Sequence, residues 1–395
     1  MIKHYQFRIY PTKSQQVQLE KHFGCVRYIY NWALDRKKSL YEFEKKSITT
    51  YELQKELTAL KQEFEWLCEV NNQSLQQSIQ NVDTAFSNAI KHKKGFPKFK
   101  NKYKSRDSFK VINSLHLDFE NNKIKIPKMQ EGIDIVLHRT FEGKIKSATI
   151  SKIPTGKYFA SILVDNQQEL PVKPKIQAKT ATGIDLGIKD FAILSNGEKI
   201  SNPKFYKKLL GKLKYLQRKY SKNKGKRTLK KIQTLHEKIA NQRKDFLQKT
   251  STNIISENQT IILEDLNIQG MIKRCKPKQD GQGNYIPNRQ TAKSGLNQAV
   301  SDVGWGMFVD MLTYKADWYG KNIIKIGRWE PSSKKCSNCF EVNQNLTLAD
   351  RKWTCNNCET VHDRDINAAK NIKRIGLNDY VIGMRKSYLN SKLTA

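Results

Sequence analysis

The sequence has no apolar run approaching the length needed to span a bilayer, and its amino-terminal MIKHYQFRIYP has no continuous apolar core. Neither a membrane anchor nor an export signal is therefore expected. Acidic residues are scarce, with 37 Asp and Glu against 72 Lys and Arg and a formal net charge of +35. So large an excess points to a polyanionic partner, because Lys and Arg release condensed counterions from phosphates. Cysteines are few and odd in number, and four of the seven fall in two CxxC pairs. That argues against a disulfide framework and suits a bound metal in a reducing compartment, so a cytoplasmic, nucleoid-associated protein is expected. What is present supports a folded chain. Hydrophobic residues make up 38% and aromatics 10% of 395 residues, enough for two or three domains.

Ile2 to Tyr10 reads as a short strand ended by Pro11, and the chain from about Lys13 to Lys91 reads mostly as helix. Phe23, Val26, Tyr30, Ala33 and Leu34 recur at helical spacing, as do Leu75, Ile79, Val82, Phe86 and Ile90. Lys91 to Lys110 then interleaves aromatics with cations, and Gly95 and Pro97 break any helix. Lys94, Phe96, Lys98, Phe99, Lys100, Lys102 and Tyr103 are candidates for stacking on bases and neutralising a nucleic-acid backbone. The same composition also fits a solvated charged face.

From Leu117 to Asp165, short β-rich runs separated by Gly, Asn and Pro predict a small barrel or sheet, which the amino-terminal strand could join. A linker with Pro171 and Pro174 follows. ATGIDLGIKDFAILSNG predicts a β-hairpin, and Lys204 to Leu247 a basic helical hairpin broken at Gly225. Arg218, Lys222, Lys226 and Arg227 lie near that break and are further candidates for nucleic-acid contact. Thr260 to Leu263 reads as a buried strand, Lys273 to Asn297 as a mobile loop, and Val303 to Tyr319 as a helix.

Carboxylates stand at the edges of these elements. Asp185 lies in an apolar strand, where an unpaired charge is costly unless it binds a cation. Gly183 and Gly187 share its face and are expected to clear space for a metal and a phosphate. Glu264 and Asp265 follow an apolar strand and face opposite sides, so spacing alone does not choose between them. Asp363 and Asp365 both stand at a helix start, where an N-cap is the ordinary role. A strand Asp, a strand-end Glu and a helix-start Asp, in that order, suit a ribonuclease-H-like fold holding two divalent cations. Hard oxygen ligands favour Mg²⁺ or Mn²⁺ there. Between the last two acidic positions, Cys336 and Cys339 pair with Cys355 and Cys358 at zinc-ribbon spacing. Four thiolates close a structural zinc site and leave no open position for water.

GIDLGIKDFA, ILEDLNI, the CSNC and CNNC knuckles and HDRDINAAKNIKRIG resemble, in order and context, the TnpB (OrfB) family encoded by insertion sequences. The likeness extends to YQFRIYPTKSQQ, GCVRYIYNWAL and KKGFPKFKNK. It implies a multidomain α+β protein with a split β-barrel wedge domain (1–12 and 111–170) and an inserted helical recognition domain (13–110). A ribonuclease-H-like (RuvC) α/β nuclease domain (180–330 and 360–378), an inserted target-binding zinc ribbon (331–359) and a tail (379–395) would follow.

The resemblance also implies an RNA-guided DNA endonuclease, similar to the type V CRISPR effectors. A transposon-end guide RNA would direct it, as a monomer, to double-stranded DNA beside a short element-specific motif. It selects Asp185, Glu264 and Asp365 as the catalytic, Mg²⁺-holding set, over Asp265 and Asp363. A nuclease-inactive RNA-guided regulator would lack one of these acids, and none is missing. A transposase acting directly on DNA is the other alternative. In the common acidic-triad transposases Glu comes last, and the order here is different.

Overall fold

The computed structural model describes residues 1–92, 95–112, 114–129, 131–347 and 349–393, with residues 382–393 as helical backbone. The chain forms two compact units, Met1–Glu169 and Leu170–Ala395, and the boundary falls in the expected linker.

In the first unit β1 (Ile2–Tyr10) leads into α1 (Lys13–Glu44), α2 (Thr50–Glu63) and α3 (Asn72–Lys91). Capping boxes set the starts of α1 and α2: the Thr12 hydroxyl accepts from the Gln15 amide at 3.3 Å while Thr12 N donates to Gln15 Oε1 at 3.0 Å, and Thr49 with Glu52 repeats the device. Six strands follow: β2 (Asp107–Val111), β3 (His116–Asp118), β4 (Lys123–Lys125), β5 (Ile133–Val136), β6 (Lys144–Lys152) and β7 (Tyr158–Asp165). Among the described residues they form with β1 an antiparallel sheet in the order β2-β6-β7-β1-β5-β4-β3. The amino-terminal strand thus lies inside the sheet, as its alternation allowed, with Phe7 and Ile9 fully buried. The sheet ends on β2 and β3 without closing, an open half-barrel rather than a closed one. It also begins before 111, because β2 pairs with β6 from Asp107. One continuous core holds both layers: Leu19, Phe23, Leu75 and Ile79 of the helices pack with Phe109, Ile150 and Ile162 of the sheet.

The second unit opens with β8 (Ala181–Leu186), β9 (Asp190–Leu194) and β10 (Lys199–Ser201), followed by α4 (Phe205–Asn223) and α5 (Lys226–Glu257). Then come β11 (Thr260–Glu264), α6 (Ile268–Met271), a two-stranded hairpin of β12 (Lys278–Gln279) and β13 (Tyr285–Ile286), α7 (Gln290–Val303) and α8 (Trp305–Trp318). The remaining elements are β14 (Asn322–Ile326), β15 (Lys352–Thr354), β16 (Val361–Asp363) and α9 (Arg364–Leu393), which continues through the stretch expected as a tail. The main sheet runs β10-β9-β8-β11-β14. Its first three strands form an antiparallel meander, and β8, β11 and β14 are parallel.

Strand parity gives this sheet two faces. Ile184, Ile261 and Leu263 pack with Leu247 and Ile254 of α5 and with Phe308 and Leu312 of α8. Ala181, Ile262 and Ile326 pack with Ile372 of α9. Lys273 to Asn297 is not the loop expected. It carries the short hairpin and the first half of α7, which buries Val300 and Val303. Gly304, at φ +78°, separates α7 from α8, a conformation that glycine adopts without strain.

Gly183 serves a different purpose from the one its place beside Asp185 suggested. A Cβ at Gly183 would collide with the Ala369 carbonyl oxygen and stand 2.5 Å from the Lys373 amide nitrogen, both backbone atoms of α9. At Gly187 it would meet the Asp190 carbonyl at 2.7 Å. The missing side chains admit the helix and the hairpin turn, not a metal or a phosphate. Gly183→Ala is therefore expected to lift α9 off the sheet and to destabilise the second unit by about 3 kcal/mol or more. Chemical denaturation of the full chain measures this, and an unchanged midpoint would refute it.

Candidate functional site: carboxylates and thiols

Asp185 stands one residue before the end of β8, and Glu264 ends the neighbouring parallel strand. Leu263 pairs with Ile184, so the next step in register sets Glu264 beside Asp185. Gly183 and Ile262 on the same strands contact α9, and two-residue periodicity turns Asp185 and Glu264 to that same face. Asp365 enters this space from the first turn of α9. The three meet electrostatically. Desolvation, then the charges of Glu264 and Asp365, push the Asp185 carboxyl up to about 7, with Arg364 acting in the opposite direction.

Local partners separate the neighbouring acids. Asp265 is taken by Arg328, whose Nη2 lies 2.7 Å from Oδ2. Asp363 caps α9, accepting from the amides of Asp365 at 3.1 Å and Ile366 at 3.2 Å, and it pairs with Lys199. Its carboxyl is held below the usual range mainly by the Lys199 hydrogen bond, against the effect of burial. Asp365 is left with a loose contact to Arg351 at 3.7 Å. Among the described residues neither Asp185 nor Glu264 forms an ion pair, and Glu264 accepts a hydrogen bond from Ser332 Oγ at 2.5 Å. An anionic cluster with so few cations of its own has the donor chemistry of a hard divalent ion site.

The four cysteines converge as their spacing required. All four sulfurs lie within 4.8 Å of one another, and they are free thiols. Cys336 and Cys358 are 3.7 Å apart, Cys339 and Cys355 3.4 Å. A tetrahedral Zn²⁺ with bonds of ~2.3 Å needs sulfur separations of about 3.8 Å, so the cluster is compatible with structural zinc. In the first knuckle, the amides of Asn338 and Cys339 point at Cys336 Sγ from 3.4 and 3.5 Å. Hydrogen bonds from Thr360 hold the Cys358 thiol down at about 6, which favours the thiolate form. Among the described residues, the four cysteines are the group whose possible ligand atoms all lie within 4.8 Å of one another.

The basic candidates divide. Phe96, Lys98, Phe99, Lys102 and Tyr103 are exposed, Tyr103 at 89%. Lys100 is turned inward: its Nζ sits 3.9 Å from the Tyr30 ring centroid, and Asn31 pins its backbone in both directions. Its packing role weakens it as a phosphate contact. Lys94 lies outside the described residues. Arg218, Lys222, Lys226 and Arg227 are exposed around the α4–α5 turn, and the hairpin beneath them is held by Leu213, Leu216, Ile232 and Leu235.

Sequence reasoning missed Ser332, Asn367 and Asn371. Asn367 and Asn371 are spaced by four on α9, next to the buried Ala368 and Ile372. Amides on a buried helical stripe were the available signal.

Three family models match the chain. One, described as a helix-turn-helix domain, covers residues 1–46, where the structure has one strand and one continuous helix. An OrfB model described as a probable transposase covers 161–274, and a Cas12f1-like TNB domain covers 305–372. A protein of Streptomyces pristinaespiralis named putative RNA-guided DNA endonuclease is 35% identical over 382 residues, 94% of this chain and 89% of that protein. Escherichia coli K12 InsQ, which carries the same description, is 29% identical over 379 residues, 94% and 92% of the two chains. Among solved structures, Cas12f1 in complex with single-guide RNA and target DNA matches with a TM-score of 0.54 at 15% identity. That match covers 91% of this chain and 83% of the other, a likeness of fold.

Proposed function

The chain belongs to the TnpB (OrfB) family, and from that premise we propose that it is an RNA-guided DNA endonuclease whose cleavage site is Asp185, Glu264 and Asp365. The observation that carries this reading is the convergence of three carboxylates from β8, β11 and α9 on one face of the mixed sheet. The strand order, with α9 returning across that face, suits a ribonuclease-H-like (RuvC) nuclease core spanning 180–330 and 360–378. When bound, two Mg²⁺ ions, or Mn²⁺ in their place, stabilise the attacking water and the leaving oxygen of phosphodiester hydrolysis. Asp185 and Glu264, fixed on adjacent strands, hold the site rigid, and Asp365 completes it from a helix whose cap is supplied by Asp363.

Zinc in the four-thiol cluster folds the insertion at 331–359 and takes no part in hydrolysis, because a closed thiolate set leaves no place for water. The half-barrel strands serve as the wedge and the helices between them as the recognition element. The exposed aromatic and basic residues at 96–103 and 218–227 supply stacking and phosphate contacts to a guide RNA and its double-stranded DNA target. A guide transcribed from the transposon end, recognition of a short flanking motif, a monomeric ribonucleoprotein, a cytoplasmic location near the nucleoid and a role in transposon maintenance complete the proposal.

The test is to purify the full chain with its co-expressed RNA and offer it Mg²⁺ and plasmids that match the guide beside a randomised flank. Cutting is expected only with a matching guide and beside one short motif. Cutting without a guide match, or an inert complex of intact protein, would overturn the proposal.

A further inference from the structure

The thiol cluster and the carboxylate site are joined by a continuous set of short polar contacts. Ser332, before the first knuckle, is buried and donates from Oγ to Glu264 Oε1 at 2.5 Å. Its own carbonyl accepts from Asn371 Nδ2 at 2.8 Å. The Lys335 carbonyl accepts from Asn367 at 2.8 Å and from Asn371 at 2.5 Å. Between the first two cysteines, the Ser337 amide donates to Asn367 Oδ1 at 2.8 Å. Asn367 and Asn371 are 1% and 0% exposed, so neither amide has water to fall back on.

One turn further along α9 the Arg374 guanidinium lies over the Phe340 ring at 3.7 Å. On the other side of the cluster His362 Nε2 sits 3.0 Å from Cys336 Sγ, one residue before the cap that starts α9. One face of α9, built from residues 367, 371 and 374, therefore grips the first knuckle, and Asp365 stands in the first turn of the same helix.

Packing alone would account for a knuckle resting on a helix. It does not account for a buried hydroxyl delivered to the one member of the acidic set that shares a strand end with Asp185 and has no cation. A neutral donor there fixes which Glu264 oxygen turns toward Asp185 without cancelling the charge needed for a divalent ion.

We propose that the zinc knuckle is the positioning element of the carboxylate site, with Ser332 the positioning residue. Bound zinc holds 332–340 rigid, and this loop sets Glu264 through the Ser332 hydroxyl and Asp365 through Asn367 and Asn371. Zinc occupancy thereby sets the affinity of the carboxylates for divalent ions. The inference rests on the assignment of Asp185, Glu264 and Asp365 as the divalent site.

The experiment uses the full-length, zinc-loaded chain and follows free Mn²⁺ by electron paramagnetic resonance during titration. Ser332→Ala is expected to weaken Mn²⁺ binding on the order of 10-fold, with zinc content and circular dichroism unchanged. Ser332→Thr keeps the hydroxyl and is expected to bind within about 2-fold of the parent, a rescue that a purely structural role would not produce. Parental affinity in Ser332→Ala overturns the inference, as does a Ser332→Thr protein no better than Ser332→Ala. Asp185→Asn is the control. If it leaves Mn²⁺ binding intact, the carboxylate assignment itself has failed. If it removes binding while Ser332→Ala does not, only the coupling to the knuckle has failed.

Discussion

Asp185→Asn is expected to leave no measurable cleavage and, in the same chain, to raise the melting temperature. Both results follow from one charge. Asp185 is crowded by protein and faces Glu264 and Asp365, and its carboxyl is pushed up to about 7. Since the folded-state value lies above the ordinary one, the ionised form opposes folding. The penalty is absent only below about pH 3, where Asp185 is protonated in both states, and it is still small near pH 4. It grows as pH rises toward 7 and levels off above it. Asparagine keeps the shape and removes the charge.

At pH 7.5, without added divalent ion, the variant is expected to gain about 1–2 kcal/mol, or several degrees. The gain should be much smaller at pH 4 and vanish only below about pH 3. Cleavage should fall by ~10³-fold or more, because a lost ion removes several kcal/mol of transition-state stabilisation. Scanning fluorimetry across pH and a cleavage assay on the guide complex measure the two effects. A variant that still cuts, or one whose stability gain is equal at pH 4 and 7.5, would refute the argument.

The site's elements were legible from local pattern, and its choices among neighbours were not. Alternation over Ile2 to Tyr10 and the apolar run of Thr260 to Leu263 marked strands correctly, because burial of one face or both leaves a period in the sequence. Glu264 against Asp265, and Asp365 against Asp363, could not be separated locally, since each pair differs by one or two positions and shares its chemistry. Distant residues make the difference. Arg328 engages Asp265 and Lys199 engages Asp363, partners that the fold alone brings near.

Gly183 was misread for a similar reason. A glycine flanking a carboxylate suggests room for a ligand, but the atoms that need the room belong to α9, nearly two hundred residues later in the chain. The start of α7 was hidden because a helix that buries only Val300 and Val303 leaves almost no apolar period. Ser332 carries no motif at all. Its role exists only where a knuckle held by four thiols meets the end of β11.

Cys355→Ser tests the other metal, and its expected effect is of a different kind. The segment from 331 to 363 buries little besides its cysteines: Leu346 and Trp353 are the large apolar side chains of its core. Burial worth about 1.5–3 kcal/mol for each is too little to order some thirty residues with one two-stranded ribbon. Metal–thiolate bonds, worth about 10–16 kcal/mol in small zinc modules, make up the difference. Cys355 is a buried member of the set.

The variant is expected to lose zinc. Amide hydrogen exchange across 331–363 should rise by about 10²-fold or more, while the first unit, with its own core, keeps its protection. The first turns of α9 should lose protection as well, because Asn367 and Asn371 would be left as buried amides facing a disordered loop. Asp185→Asn should do none of this, so the two substitutions separate a lost catalyst from a lost scaffold. Protection of 331–363 that survived removal of the metal would mean that the module folds by packing alone, and that zinc is incidental to it.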